Sequence, residues 1–134
     1  FREYTDFSFP PKETSYKPLY DILEKDVDRA HYASDRIVKK RKEAHASSYK
    51  LAIWNENKCG NINSYPFSCA LRASASYNYL LVNGERRLTP REMLRLQGFP
   101  DVFKIVCSGN QTRKQAGNAV PVPIISKVIR RVLN

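Results

Sequence analysis

Apolar residues near the carboxyl end fall on one side of a helix. Ile124, Ile125, Val128, Ile129, Val132 and Leu133 keep an i, i+4 stripe, with Lys127, Arg130 and Arg131 on the other side. The spacing predicts a helix that begins near Pro121 to Pro123 and must dock its stripe on something. A second helical pattern, Leu19, Ile22, Leu23 and Val27, predicts a short surface helix from Thr14 or Ser15 to about Arg29, with Pro18 in its first turn. The sharpest local signal is Thr89-Pro90-Arg91-Glu92. A capping Thr, a proline at the first helical position and a Glu three residues after the cap start a helix at Pro90. It runs through Met93, Leu94 and Leu96 and stops at Gly98 and Pro100.

Period-two patterns are shorter. Phe7 and Phe9 alternate with polar residues before Pro10-Pro11, which predicts a short edge strand leading to a turn. Tyr79 to Val82 precede Asn83-Gly84, so a strand is expected at 78–82, closed by a tight turn. Residues 55–66 are rich in Asn, Gly and Ser and read as a loop. Mixed helices and short strands give an α+β class.

A chain of 134 residues accommodates one globular unit and is too short for separate cofactor and substrate domains. It has no apolar run that would span a membrane and no signal-peptide pattern, so a soluble cytoplasmic protein is expected. It opens on Phe1, as a piece of a longer polypeptide would. Cys59, Cys69 and Cys107 are odd in number, lack Cys-x-x-Cys spacing and lie far from His31 and His45. Reduced, packed thiols are expected rather than disulfides or a metal site. Charge changes the picture more. Residues 1–33 hold seven acids against five bases, a net of −2; the rest hold six acids against eighteen bases, a net of +12. The basic part suits a polyanion, and Lys40 and Arg41 in the run Lys39 to Lys42 are candidate phosphate contacts.

The stretch Arg87-Leu88-Thr89-Pro90-Arg91-Glu92-Met93-Leu94-Arg95-Leu96-Gln97-Gly98-Phe99-Pro100-Asp101-Val102-Phe103 resembles the ninth shared motif of DNA cytosine-5 methyltransferases. Gln115-Ala116-Gly117-Asn118-Ala119-Val120-Pro121-Val122-Pro123 resembles the tenth, in the same order. Together they are specific where a lone capping box is not. The resemblance implies three parts: 1–33, a strand and helix that follow the catalytic domain; 34–100, a small target-recognition domain with short strands and loops; 101–134, motif ten and a helix that docks on a Rossmann-like catalytic domain absent from this chain. It implies S-adenosyl-L-methionine as cofactor, no metal, and Gly117, Asn118 and Ala119 as cofactor-side residues in a turn. It also implies double-stranded DNA and a catalytic amino-terminal half as partners, in a bacterial, nucleoid-associated setting.

The family's chemistry needs a Cys after a Pro, to attack C6 of cytosine, and a Glu from a Glu-Asn-Val motif. Here the three cysteines follow Lys58, Ser68 and Val106, and Glu56-Asn57 is followed by Lys58 within the recognition region. A carboxy-terminal fragment or the small subunit of a split enzyme is expected, inactive alone. Base reading is expected from residues 52–78, with Arg72, Ser74, Ser76, Tyr77 and Asn78 as candidates. Asn61, with Asn55, Asn57 and Asn63, forms a second candidate loop. Ala70-Leu71 stands where the family often has Thr-Leu. Arg86, Arg87, Arg91 and Arg95 read as structural. Two rivals remain, a non-catalytic basic DNA-binding module and a purely structural subunit. A free-standing module would bury Ile124, Ile125, Val128 and Val132 within itself.

Overall fold

A computed structural model describes residues 8–12, 14, 17–75 and 79–133. Its elements are α1 (Leu19–Ile22), a 3-10 turn (Arg29–His31), α2 (Asp35–Ala44), β1 (Ile53–Glu56), β2 (Ile62–Tyr65), β3 (Leu80–Val82), β4 (Arg86–Arg87), α3 (Pro90–Leu96), α4 (Gly109–Asn118) and α5 (Val122–Leu133). The strands form one antiparallel sheet in the order β2-β1-β3-β4. The α+β class stands.

Alternation along the two central strands splits the core between the faces of the sheet. Ile53, Leu80 and Val82 join Leu19, Tyr79 and Leu88, with Met93 and Leu96 of α3 packed against them. Ala52, Trp54 and Leu81 form the second cluster. There the His45 ring, just past α2, meets Trp54 edge-on, with 4.8 Å between centroids. The Asn83-Gly84 turn forms as expected, both residues having positive φ (50° and 70°). Gly84 is also required by packing, because a Cβ there would stand 2.7 Å from Trp54 ring carbons.

Four hydrogen bonds converge on one carboxylate. Glu92 has no solvent exposure. It accepts from both terminal nitrogens of Arg86 at 2.9 and 2.7 Å, from Thr89 N at 2.8 Å and from Glu24 N at 2.8 Å. Thr89 Oγ1 accepts from Glu92 N at 3.1 Å, completing the expected capping box. Burial works against the Arg86 charge, but the hydrogen bonds and charge of Glu92 override it and raise the guanidinium pKa.

Several expectations need correction. The helix expected from Thr14 or Ser15 to Arg29 shrinks to the single turn of α1, because α3 side chains take the groups that would continue it. Glu24 N–H goes to Glu92, and the Ile22 carbonyl accepts from Arg95 at 3.0 Å. Residues 55–66 are a β hairpin in large part, not a loop: Asn and Ser occupy its half-exposed positions and hide the period of two. The Asn57 side chain shapes the tip by accepting from Cys59 N and Asn61 N, both at 2.9 Å. That places Cys59 in the open, whereas Cys69 and Cys107 are half-buried, and all three are free thiols. Residues 8–12 form no strand, and Phe7 lies outside the described residues.

Glu92→Ala leaves Arg86 charged and buried, so it is expected to cost about 3–5 kcal/mol. Urea unfolding checks this; a loss below about 1 kcal/mol, the scale of an exposed pair, would mean that water reaches the site.

Candidate functional site

The loop after β2 is held from two sides. The Tyr79 hydroxyl accepts from Arg72 N at 2.9 Å, and the Arg72 guanidinium lies over the Tyr79 ring, 5.3 Å from its centroid. From α4, Arg113 donates to the Ala75 carbonyl at 3.2 Å. Burial raises the Tyr79 pKa, although the Arg72 hydrogen bond and charge oppose it. The ring therefore meets Arg72 as a neutral phenol. The side chains of Arg72 and Ser74 remain exposed. Ser76, Tyr77 and Asn78 lie outside the described residues.

Gly117 explains why the loop can sit so close to α4. A Cβ at Gly117 would stand 2.3 Å from Ala73 N and 2.6 Å from the Arg72 carbonyl carbon. Gly117 and Asn118 were expected in a turn; they are the last two residues of α4, and Ala119 is its extended cap. The Cβ side of Gly117 is thus filled by the loop. Asn118 is exposed and Ala119 half-buried, so these two offer the more accessible groups.

Residues of the two motifs grip each other directly. The Gln97 side chain donates to the Ala116 and Ala119 carbonyls, and Val122 N donates back to the Gln97 carbonyl at 2.8 Å. Gly98 has φ 81°, and a Cβ there would be 2.5 Å from Pro123 Cδ. These contacts fix where α5 begins. No α5 residue is buried. Ile124, Ile125, Ile129 and Val132 are exposed by 58, 40, 48 and 39 %. Val128 is half-buried, in a shallow groove that it forms with Phe9, Pro10, Pro11, Pro123 and Ile124.

The basic candidates separate. Lys40 is exposed on α2 and Asn61 is exposed at the hairpin tip. Arg41, expected to face phosphates, points inward. It pairs with Glu56 at 2.9 Å and donates to the Gly84 carbonyl at 3.3 Å. This pairing also gives Glu56 a structural task. Arg87 donates to the Ala30 carbonyl at 2.7 Å, and Arg95 makes a two-pronged pair with Asp101 at 2.8 and 2.7 Å. With Arg86 on Glu92, these arginines tie the framework together. The Arg95 hydrogen bond holds the Asp101 carboxyl below its ordinary pKa. Sequence reasoning missed the roles of Tyr79 and Arg113, since an aromatic in a strand and an Arg in a helix carry no sign of a distant loop partner.

Among the described residues, no helix is long and apolar enough to cross a membrane. The sequence model of the C-5 cytosine-specific DNA methylase family matches residues 1–134. The Type II methyltransferase M.NgoBI of Neisseria gonorrhoeae is 50% identical over 128 residues, which cover 93% of this chain and 40% of the relative. M.HaeII of Haemophilus aegyptius is 44% identical over 137 residues, 100% of this chain and 43% of the relative. M.SsoII of Shigella sonnei is 32% identical over 143 residues, 99% and 36% respectively. The chain therefore spans about two fifths of the length of these relatives.

Gly117→Ala forces a methyl group into the Arg72–Ala73 backbone and is expected to destabilise the protein by about 1–3 kcal/mol. Hydrogen exchange of the loop amides should rise with it. Unchanged melting and exchange would contradict the close packing of α4 on the loop.

Proposed function

The chain belongs to the C-5 cytosine-specific DNA methylase family, and from that premise we propose that it is the DNA-recognition part of a DNA (cytosine-5)-methyltransferase. The observation that carries this reading is α5: an apolar stripe anchored by the motif contacts and held outward, as a helix must be to dock on another domain. The partner is the amino-terminal catalytic half of the same enzyme. Residues 34–100 form the target-recognition domain, residues 1–33 lead into it, and residues 101–134 return to the catalytic half.

The complete enzyme binds duplex DNA, turns a target cytosine out of the stack and methylates its C5, since the ring is not open to attack while stacked. S-adenosyl-L-methionine supplies the methyl group. This chain provides sequence choice through Arg72, Ser74, Ser76, Tyr77, Asn78 and Asn61, and phosphate attraction through Lys40. Asn118, Ala119 and the Gly117 backbone form one wall of the cofactor site. None of its cysteines follows a Pro, and the nucleophile belongs to the catalytic half. The chain alone is inactive.

A free-standing DNA-binding module would bury the α5 stripe. Of the four residues such a module would bury, Ile124, Ile125 and Val132 are exposed and Val128 is half-buried, which favours a docked helix instead.

The test is transfer of labelled methyl groups from S-adenosyl-L-methionine to mixed-sequence DNA, by this chain alone and after mixing with a separately made catalytic half. No transfer alone and activity on mixing are expected. Transfer by the chain alone would overturn the assignment of the nucleophile. Silence in both tubes, with the halves shown to associate, would favour the binding module.

A further inference from the structure

Arg72 differs from the other arginines whose contacts define the framework. Arg41, Arg86 and Arg95 each spend their donors on a carboxylate within the fold. Arg72 is exposed, and among the described residues no carboxylate forms a salt bridge with it. Its guanidinium is placed against the Tyr79 ring. A cation–π contact uses the charge rather than a hydrogen bond, and so leaves the N–H donors for a ligand. The backbone beneath is fixed as well. Arg72 N is held by the Tyr79 hydroxyl, Ala73 rests on Gly117, and Ala75 is held by Arg113. Much of the ordering cost of a two-pronged hydrogen bond is thereby met before any ligand arrives.

We infer that Tyr79 is a positioning residue that presents Arg72 to the O6 and N7 acceptors of one guanine of the target sequence, read from this loop. The inference rests on the recognition role proposed above and narrows it to one base and one pair of residues. Guanine offers the paired, coplanar acceptors that match the arginine fork. A phosphate is the rival acceptor, but attraction to phosphates needs no fixed plane. The exposed ammonium groups of Lys39 and Lys40 on α2 serve it without one.

The experiment uses the assembled enzyme on the site that it methylates, identified by sequencing. Each guanine of that site is replaced in turn by 7-deazaguanine, which lacks the N7 acceptor. For the wild type, one replacement is expected to lower kcat/KM by roughly 5- to 150-fold, the range of a two-pronged base contact. Arg72→Met keeps the stem but removes every donor. It is expected to lower kcat/KM on the intact site by a similar factor and to abolish the sensitivity to that one replacement, leaving the others unchanged. Tyr79→Phe removes the hydroxyl anchor and should weaken discrimination at the same guanine alone.

Sensitivity to every guanine preserved in Arg72→Met, with uniformly lower activity, would assign Arg72 to a phosphate and overturn the inference while the recognition role stood. Failure of every guanine replacement to matter in the wild type would overturn it as well. An assembled wild type that transferred no methyl group would remove the recognition reading together with it.

Discussion

Glu92 takes a carboxylate wholly out of water, and the donors that make this tolerable come from three separate stretches of chain: β4, the cap of α3 and the segment after α1. A buried charge with one partner missing costs several kcal/mol, so these stretches hold their places together or not at all. The consequence reaches past α3 itself. Once Glu24 N–H has turned to Glu92, the first helix ends after a single turn and the chain passes on to α2. Once Arg86 has turned to Glu92, β4 is pinned beside β3.

From that anchor the arrangement extends outward. The far end of α3 holds Gln97 and Gly98, which receive the end of α4 and the start of α5. The same α4 presents Gly117 and Arg113 to the loop around Arg72. The motif residues are thus a frame for the loop between β2 and β3. They fix where α5 begins, and the side chains of Arg72 and Ser74 stay exposed on the loop.

What the sequence made legible was local or repeated. Thr89 to Glu92, Asn83-Gly84, Gly98 and the α5 stripe each carry their signal within a few neighbouring residues, and each formed as expected. The two motifs were specific enough for the family. What escaped depends on partners far along the chain. The proton donors of Glu92 at positions 24 and 86 leave no periodic trace, so the first helix was read too long. The β1–β2 hairpin was hidden because its polar, half-exposed side chains look like a loop. Arg41 was read with its lysine neighbours as a phosphate contact, although Glu56, fifteen positions later, draws it inward. The turn expected at Gly117-Asn118 is the end of α4, and Ala73 occupies the space of a Gly117 side chain.

If residues 51–82 choose the sequence and the motifs only support them, the choice should travel with those residues. The direct measurement grafts residues 51–82 into a full-length relative of different specificity and sequences the methylated sites. The account predicts that the hybrid methylates the sequence chosen by this chain. A hybrid that remains active and keeps the specificity of its host would contradict it.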